Sequence, residues 1–352
     1  MFKILDMYLA RTLIGTTFIS LSVLIGLSAL IKFVDQLRHI GRGSFDMTVA
    51  GIYVLLSLPR EIEQFFPMAT LLGGLIGMGI LASSSELTVV QASGLSRLAI
   101  IRSAMKSALL MVLFVMALGE WLVPMSETKA KEIRAQAISG GNLFASDRLT
   151  WAKDGDKFVS IGEVSSRDEL RDITIYNFSE SLDLVSVTTA NIARFKENQW
   201  QLFDVGYTDI GTRIVSQKSA NLQWFSSLTP DKLGVAIVKP EALSIQGLYS
   251  YIQYLQNNGQ DANRYQLAFW RKLIQPVSIG VMLLLALSFI FGPLRSVTTG
   301  ARIILGVLTG FGFFIVNEVF GPLSMVYSFP PLIGALAPSL LVAAISLQLL
   351  RK

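Results

Sequence analysis

The sequence predicts an α-helical membrane protein: six transmembrane helices in a 3+3 arrangement, with a β domain inserted between the third and fourth. Three observations carry this prediction. Of 352 residues, 52% are hydrophobic and only 16% charged, with a mean hydropathy of +0.53. A soluble domain carries about a quarter charged residues. Six runs reach or approach the ~20 apolar residues that cross ~30 Å of hydrocarbon. From about residue 142 to 240 hydropathy falls, and the period changes from helical to the two-residue alternation of strands.

In chain order, the first run covers 13–31. It exceeds a signal-peptide core and no A-x-A site follows, so it is expected to be retained as a span. Residues 47–59 are apolar but too few to cross untilted, and Arg60, Glu61 and Glu63 follow. This piece is expected to be an interfacial or re-entrant helix leading into the second span, 65–85. If it crossed, every later loop would change sides. The third span, 107–123, carries Glu120 near one end.

The middle then reads RLTWAK, KFVSIG, DITIYNF, LVSVTTANIARF, WQLFDV and NLQWF. These alternating stretches are divided by turn signals such as Asp154-Gly155-Asp156 and Glu197-Asn198. Six or more strands in about a hundred residues suggest a β-sandwich or a jellyroll-like domain. Residues 244–258 read as an amphipathic helix, with Ser244 as N-cap and Gly259 past its end. Spans follow at 273–291, at 303–316 extended past Asn317 and Glu318, and at 332–350. The expected divisions are 1–125 for spans one to three, 126–262 for the β-domain with flanking helices, and 263–352 for spans four to six.

Charge orients this arrangement. With six spans and the N-terminus inside, the cytoplasmic segments hold Lys3, Arg11, Arg97, Arg102, Lys106, Arg295, Arg302, Arg351 and Lys352 against Asp6 and Glu86. The positive-inside rule favours that parity, which puts the β-domain outside the cytoplasm and both termini within it.

Composition also excludes. Net charge is +5 and the pI about 9.3, but the cations flank apolar runs instead of forming a soluble nucleic-acid face. The chain has no cysteine and one histidine, His39, which argues against a metal centre or a His-based triad. No G-x-x-x-x-G-K-[ST] occurs, so no nucleotide or other cofactor is expected on this chain, and any ATP is expected to be bound by a partner.

Between the second and third spans the chain reads SSSELTVVQASG, residues 83–94. This suits a short amphipathic helix at the cytoplasmic face. Glu86 has two readings. It is a helix-start acid favoured by the dipole at ~0.3–1 kcal/mol, or it engages a basic groove on an ATPase while Leu87, Val89 and Val90 bury against that groove.

On the outer side, Lys32, Arg38 and Arg42 run against the positive-inside trend. Lys32 either pairs with Asp35 three residues on, at ~0.2–0.5 kcal/mol, or joins a cationic rim for an anionic headgroup. Glu318 lies 17 residues after Ala301, about 25 Å along a helix, and reads as a solvated helix end, as does Glu120 beside Trp121. The glycines of 72–79 read as close helix packing.

Several polar segments are not demanded by hydropathy. MFKILDMYLARTL, IKFVDQLR, PREIEQFFPMA, SSSELTVVQASG, LTPDKLGV, RYQLAFW, LALSFIFGPLRS and the late FGPLS…PP occur in order from the first residues to the last span. Together they closely resemble the LptF/LptG permease family of lipopolysaccharide exporters, with IKFVDQLR and LTPDKLGV nearer its LptG branch. The resemblance implies a six-helix permease split by a periplasmic β-jellyroll domain, paired with LptF, two copies of the ATPase LptB, and LptC. It implies extraction of lipopolysaccharide from the inner membrane, with Glu86 as the coupling residue. It also implies substrate contact at Lys32, Arg38, His39 and Arg134, although His39 stands where the family suggests lysine, and histidine is mostly uncharged at neutral pH.

Two other classes fit the layout. A mechanotransmission subunit would couple an ATPase to a periplasmic domain without moving lipid, and would need no outer cation cluster. A sensor or membrane enzyme lacks, respectively, an interior output domain and a nucleophile–base pair.

Overall fold

The computed structural model describes residues 4–139, 150–166, 168–179, 181, 183–210, 214–230, 232–233, 239–292 and 298–351. LTPDKLGV, LALSFIFGPLRS, Lys3, Arg295 and Lys352 lie wholly or partly outside them. Helices α1 (Ile4–Leu37), α2 (Met47–Ser83), α3 (Glu86–Ala92), α4 (Arg97–Ala117) and α5 (Val123–Ser139) come first. Strands β1 (Thr150–Asp154), β2 (Lys157–Ser166), β3 (Glu169–Phe178), β4 (Leu184–Lys196), β5 (Gln199–Ile210) and β6 (Ile214–Trp224) follow. Helices α6 (Ile245–Asn257), α7 (Asn263–Phe291), α8 (Thr299–Val326) and α9 (Pro331–Arg351) complete the order. Among the described residues six helices are long and apolar enough to cross a membrane, three before the sheet and three after it.

Residues 47–59 depart from expectation. They form no separate interfacial or re-entrant helix, because α2 runs unbroken for 37 residues through Pro59 and Pro67. At 1.5 Å per residue that is about 55 Å, longer than a hydrocarbon core needs. Asp46 starts the helix: its Oδ1 accepts from the Val49 amide at 2.8 Å, and its carbonyl from Ala50 at 3.0 Å. Because the piece continues the second span, the span count stays at six. Similarly, α4 and α5 form one candidate span joined by a π-helical turn, Leu118–Leu122, which contains Glu120.

The chain divides into two compact units. One comprises Met1–Lys32, Ser57–Pro124 and Asn263–Lys352. Its core gathers Leu9, Leu13 and Leu21 of α1, Phe66, Leu71, Leu75 and Met78 of α2, and the buried faces of α4 and α7. Close packing depends on missing side chains. A Cβ at Gly73 would overlap the Thr17 backbone, one at Gly77 would lie 2.7 Å from Thr16 Oγ1, and one at Gly74 would lie 2.7 Å from Ala286 Cβ. The glycines of 72–79 are therefore helix contacts, as read from sequence.

The other unit comprises Phe33–Leu56 and Met125–Ala262. Its six strands pair antiparallel in sequence order, as a jellyroll-like sheet. As far as they lie within the described residues, all six alternating segments became strands, because the inward pairs Val159 and Ile161, Ile173 and Ile175, and Trp200 and Leu202 are buried on one face at period two. Glu197 and Asn198 both take positive φ, 49° and 65°, as the tight hairpin between β4 and β5 requires. Trp200 is fully buried, and its Nε1 donates to the Leu228 carbonyl at 2.6 Å. Helix α6 starts at Ser244, whose hydroxyl accepts from the Gly247 amide at 3.0 Å. It docks through the Tyr254 hydroxyl, which donates to the Lys153 carbonyl at 2.6 Å.

Candidate functional sites: the 83–94 interruption and the predicted cations

Residues 83–94 fold as a tight turn followed by α3. Ser85 enters the helix at φ 62° with no side-chain cap, and Glu86 is the acid of the first turn, where the dipole favours it. The Glu86 carboxylate also accepts from the Tyr8 hydroxyl of α1 at 2.6 Å and from Ser84 Oγ at 2.9 Å. These bonds, Tyr8 first, hold the carboxyl below its usual range, so it is ionised at neutral pH.

The apolar residues of α3 divide by face. Leu87 and Val90 lie three apart on one side of the helix. Leu87 is buried in the chain's own core and Val90 packs half-buried beside it, so their apolar surface is taken up mainly within the chain. Val89 is the residue presented outward, at 67% exposure.

The four cation positions fall in different places. Lys32 does not pair with Asp35, as local spacing suggested. Its Nζ lies 2.6 Å from Glu61 Oε1 on α2, and Ser28 Oγ donates to the other oxygen at 2.7 Å. Asp35 instead faces Arg38 at 3.9 Å, and both are exposed. In the unit that contains the sheet, Arg134 Nη2 lies 2.9 Å from His39 Nε2. Arginine has no acceptor, so the guanidinium donates and the imidazole is neutral with its proton on Nδ1. Burial, then the charges of Arg134 and Arg42, push His39 below its ordinary 6.5. The Arg134 guanidinium also lies 5.4 Å from the Tyr53 ring centre.

The pair is held by its loop. The Ser44 amide donates to the Ala137 carbonyl at 2.8 Å, Gly43 adopts φ 58° where a Cβ would strike that carbonyl, and Phe45 packs on Ala50 and Ala137. His39 and Arg134, 95 residues apart, are thus brought together. Arg38 stays at the surface.

Comparison with known proteins adds a full-length match. A family profile described as lipopolysaccharide export system permease LptF/LptG covers residues 7–352. The chain belongs to the LptF/LptG permease family. It is 48% identical over 355 residues to the lipopolysaccharide export system permease protein LptG of Escherichia coli K12, covering 100% of this chain and 99% of that one. The Haemophilus influenzae LptG is also 48% identical, over 97% and 96% of the two chains. The E. coli K12 LptF is 26% identical over 46% of each chain.

Within this LptF/LptG framework, sequence reasoning missed several buried polar contacts. Asp6, 4% exposed, accepts from Ser103 Oγ at 2.5 Å and lies 2.6 Å from Lys106 Nζ, both on α4. Arg302, counted by sequence as a cytoplasmic cation, is 4% exposed, and its Nη1 donates to the Gly79 carbonyl at 3.1 Å. Glu63 and Lys272, both buried, pair at 3.5 Å, and a Cβ on Gly119 of the π turn would lie 2.6 Å from Glu63 Oε1. Glu318 is exposed, as read from sequence, with Arg271 Nη1 4.0 Å away, and Arg271 also donates to the Asn317 carbonyl. The available signal was a charged residue inside an apolar run, which points to a partner or a path but not to which partner.

Proposed function

We propose that this chain is a permease subunit of an ATP-driven transporter that extracts lipopolysaccharide from the inner membrane and passes it to a periplasmic bridge toward the outer membrane. In this reading it pairs with LptF, a dimer of LptB hydrolyses ATP, and LptC joins the complex, so the chain itself is non-catalytic. Both termini and 83–94 face the cytoplasm, and the β-domain, with divisions at 1–125, 126–262 and 263–352, lies in the periplasm. The observation that carries the reading is identity along nearly the whole chain to proteins named LptG.

The geometry adds roles. Ionised Glu86 and exposed Val89 present charge and apolar surface to the ATPase, while Leu87 and Val90 seat the helix. Arg134, oriented by His39, offers its remaining N–H groups to a phosphate, because guanidinium forks match that geometry. Arg38 contributes exposed positive charge, and Lys32 reaches a headgroup only by sharing its ammonium with Glu61. Closure of the motor pushes α3, and the permease pair squeezes the lipid toward the β-domain.

The test is reconstitution of the complete transporter with a photoreactive residue at position 32 or 134. Capture of lipopolysaccharide supports extraction. Capture of protein alone transfers the chain to the class of force-transmitting subunits. Glu86→Ala is expected to abolish ATP-dependent release while leaving the chain inserted, and normal release in that variant removes Glu86 from the mechanism.

A further inference from the structure

The first turns of α1 are held at two points on different sides. Asp6 is buried against Ser103 and Lys106 of α4. Two residues on, about 200° around the helix, Tyr8 is roughly half exposed, and its hydroxyl donates to Glu86 Oε2 at 2.6 Å. Among the described residues this is the one polar side-chain bond that joins 83–94 to a helix other than its two neighbours. Leu87 and Val90 also touch the core, but apolar contact is non-directional and tolerates sliding. A hydroxyl–carboxylate bond is short and directional, and weakens within a few tenths of an ångström of stretch.

We propose that Tyr8 is the positioning residue through which 83–94 steers the first span. This rests on the reading that 83–94 receives force from a separate ATPase. Displacement of α3 either breaks the Tyr8–Glu86 bond or carries the end of α1 with it, and the Asp6 contact on α4 is the fulcrum. Ser85, a non-glycine residue at φ 62°, is the joint at which α3 turns relative to α2. The first span is suited to respond, since only 17% of its most apolar stretch is buried, against 78% for α2. One face of α1 is held to the core by Leu9, Leu13 and Leu21 and to α2 by Thr16 and Thr17, so the helix can tilt or turn about that packed face while its exposed face meets no resistance within the chain. Glu86 then serves three partners: Tyr8 and Ser84 within the chain, and a basic side chain of the motor.

The chain contains no cysteine, so spin labels can be placed at will. One label at Val23, exposed on α1, and one at Val277, on α7, report movement of the first span in the complete reconstituted transporter. In the parent protein, vanadate trapping of the motor is expected to shift the label distance. In Tyr8→Phe the shift is expected to disappear and lipid released per ATP to fall at least fivefold, with trapping and subunit co-purification retained. An unchanged shift in Tyr8→Phe overturns the role of Tyr8. No shift in the parent despite trapping, together with normal release by Glu86→Ala, overturns the motor reading instead.

If Tyr8→Phe fails to assemble, a trifluorotyrosine at position 8 replaces it. That hydroxyl ionises near neutral pH, so the same molecules are expected to lose the shift in mild alkali, where two anions face each other, and to regain it in mild acid. A shift in the trifluorotyrosine protein with the parent's pH dependence overturns the proposal.

Discussion

The Lys32 ammonium lies 2.6 Å from the Glu61 carboxylate, so the cation at the end of the first apolar run is already paired across to α2. A lipid phosphate must compete with that acid for it. Glu61 is 7% exposed and also accepts from Ser28, which makes the pair an internal fastening as well as a candidate headgroup contact.

Lys32→Ala is therefore expected to cost about 1–3 kcal/mol of stability, because the buried acid loses its charged donor. Lys32→Ala/Glu61→Ala is expected to recover most of it, read as the thermal midpoint of the purified complex. Lipid crosslinking at Arg134 should stay low in both variants. Recovery of crosslinking with stability would show that Lys32 touches no substrate.

Glycines on α1 and α2 should respond oppositely. Gly73→Ala places a methyl into the Thr17 backbone and is expected to cost more than the ~1–3 kcal/mol of ordinary overpacking. Gly26 has nothing within 4 Å, so Gly26→Ala is expected to be neutral or to stabilise by up to about 1 kcal/mol through helix propensity. Urea or thermal unfolding of the two variants side by side checks the contrast.

The Glu63–Lys272 pair is buried on both sides, with Gly119 leaving room for the carboxylate. Lys272→Met strips Glu63 of its nearest cation and is expected to cost about 3–5 kcal/mol. Glu63→Gln/Lys272→Met should lose less than half as much, since no charge is left buried. Gly119→Ala should resemble the single variant. Equal losses in the single and double variants would remove electrostatics as the cause.

His39 titrates below its ordinary 6.5, because burial and the charges of Arg134, Arg42 and Arg38 outweigh that of Asp35. The unfolded chain therefore takes the proton first as pH falls. Stability of the Phe33–Leu56 region is present above about 6.5 and declines through the interval down to the lower folded value. Amide protection across that region, with exchange rates divided by the intrinsic rate at each pH, should be lower at pH 5 than at 7.5. His39→Gln, a neutral acceptor, should flatten the profile.

Local features were legible where the physical signal is local. The six spans, the six strands and the Ser244-capped helix each follow from length, period and a cap, all of which operate within a few residues. The unbroken α2 was misread for the same reason. Pro59 and the acids beyond it signal a helix end locally, and the helix continues because Phe66, Leu71, Leu75 and Met78 bury it in a core that the segment itself does not reveal.

The partners of charged groups were not legible. Asp35 was the sequence-near choice for Lys32, but Glu61 is the observed one; Lys272 meets Glu63 across 209 positions, and Glu86 meets Tyr8 across 78. Spacing along a chain bounds only contacts within one helix, whereas these bonds depend on how separate helices rotate and slide against each other. The amino-acid order alone thus determined that the chain has six helices long and apolar enough to cross a membrane and a sheet between the third and the fourth. Which charges are neutralised, which face of α3 is free, and what ties Glu86 to the first span were decided only by tertiary packing, because packing chooses each group's neighbours.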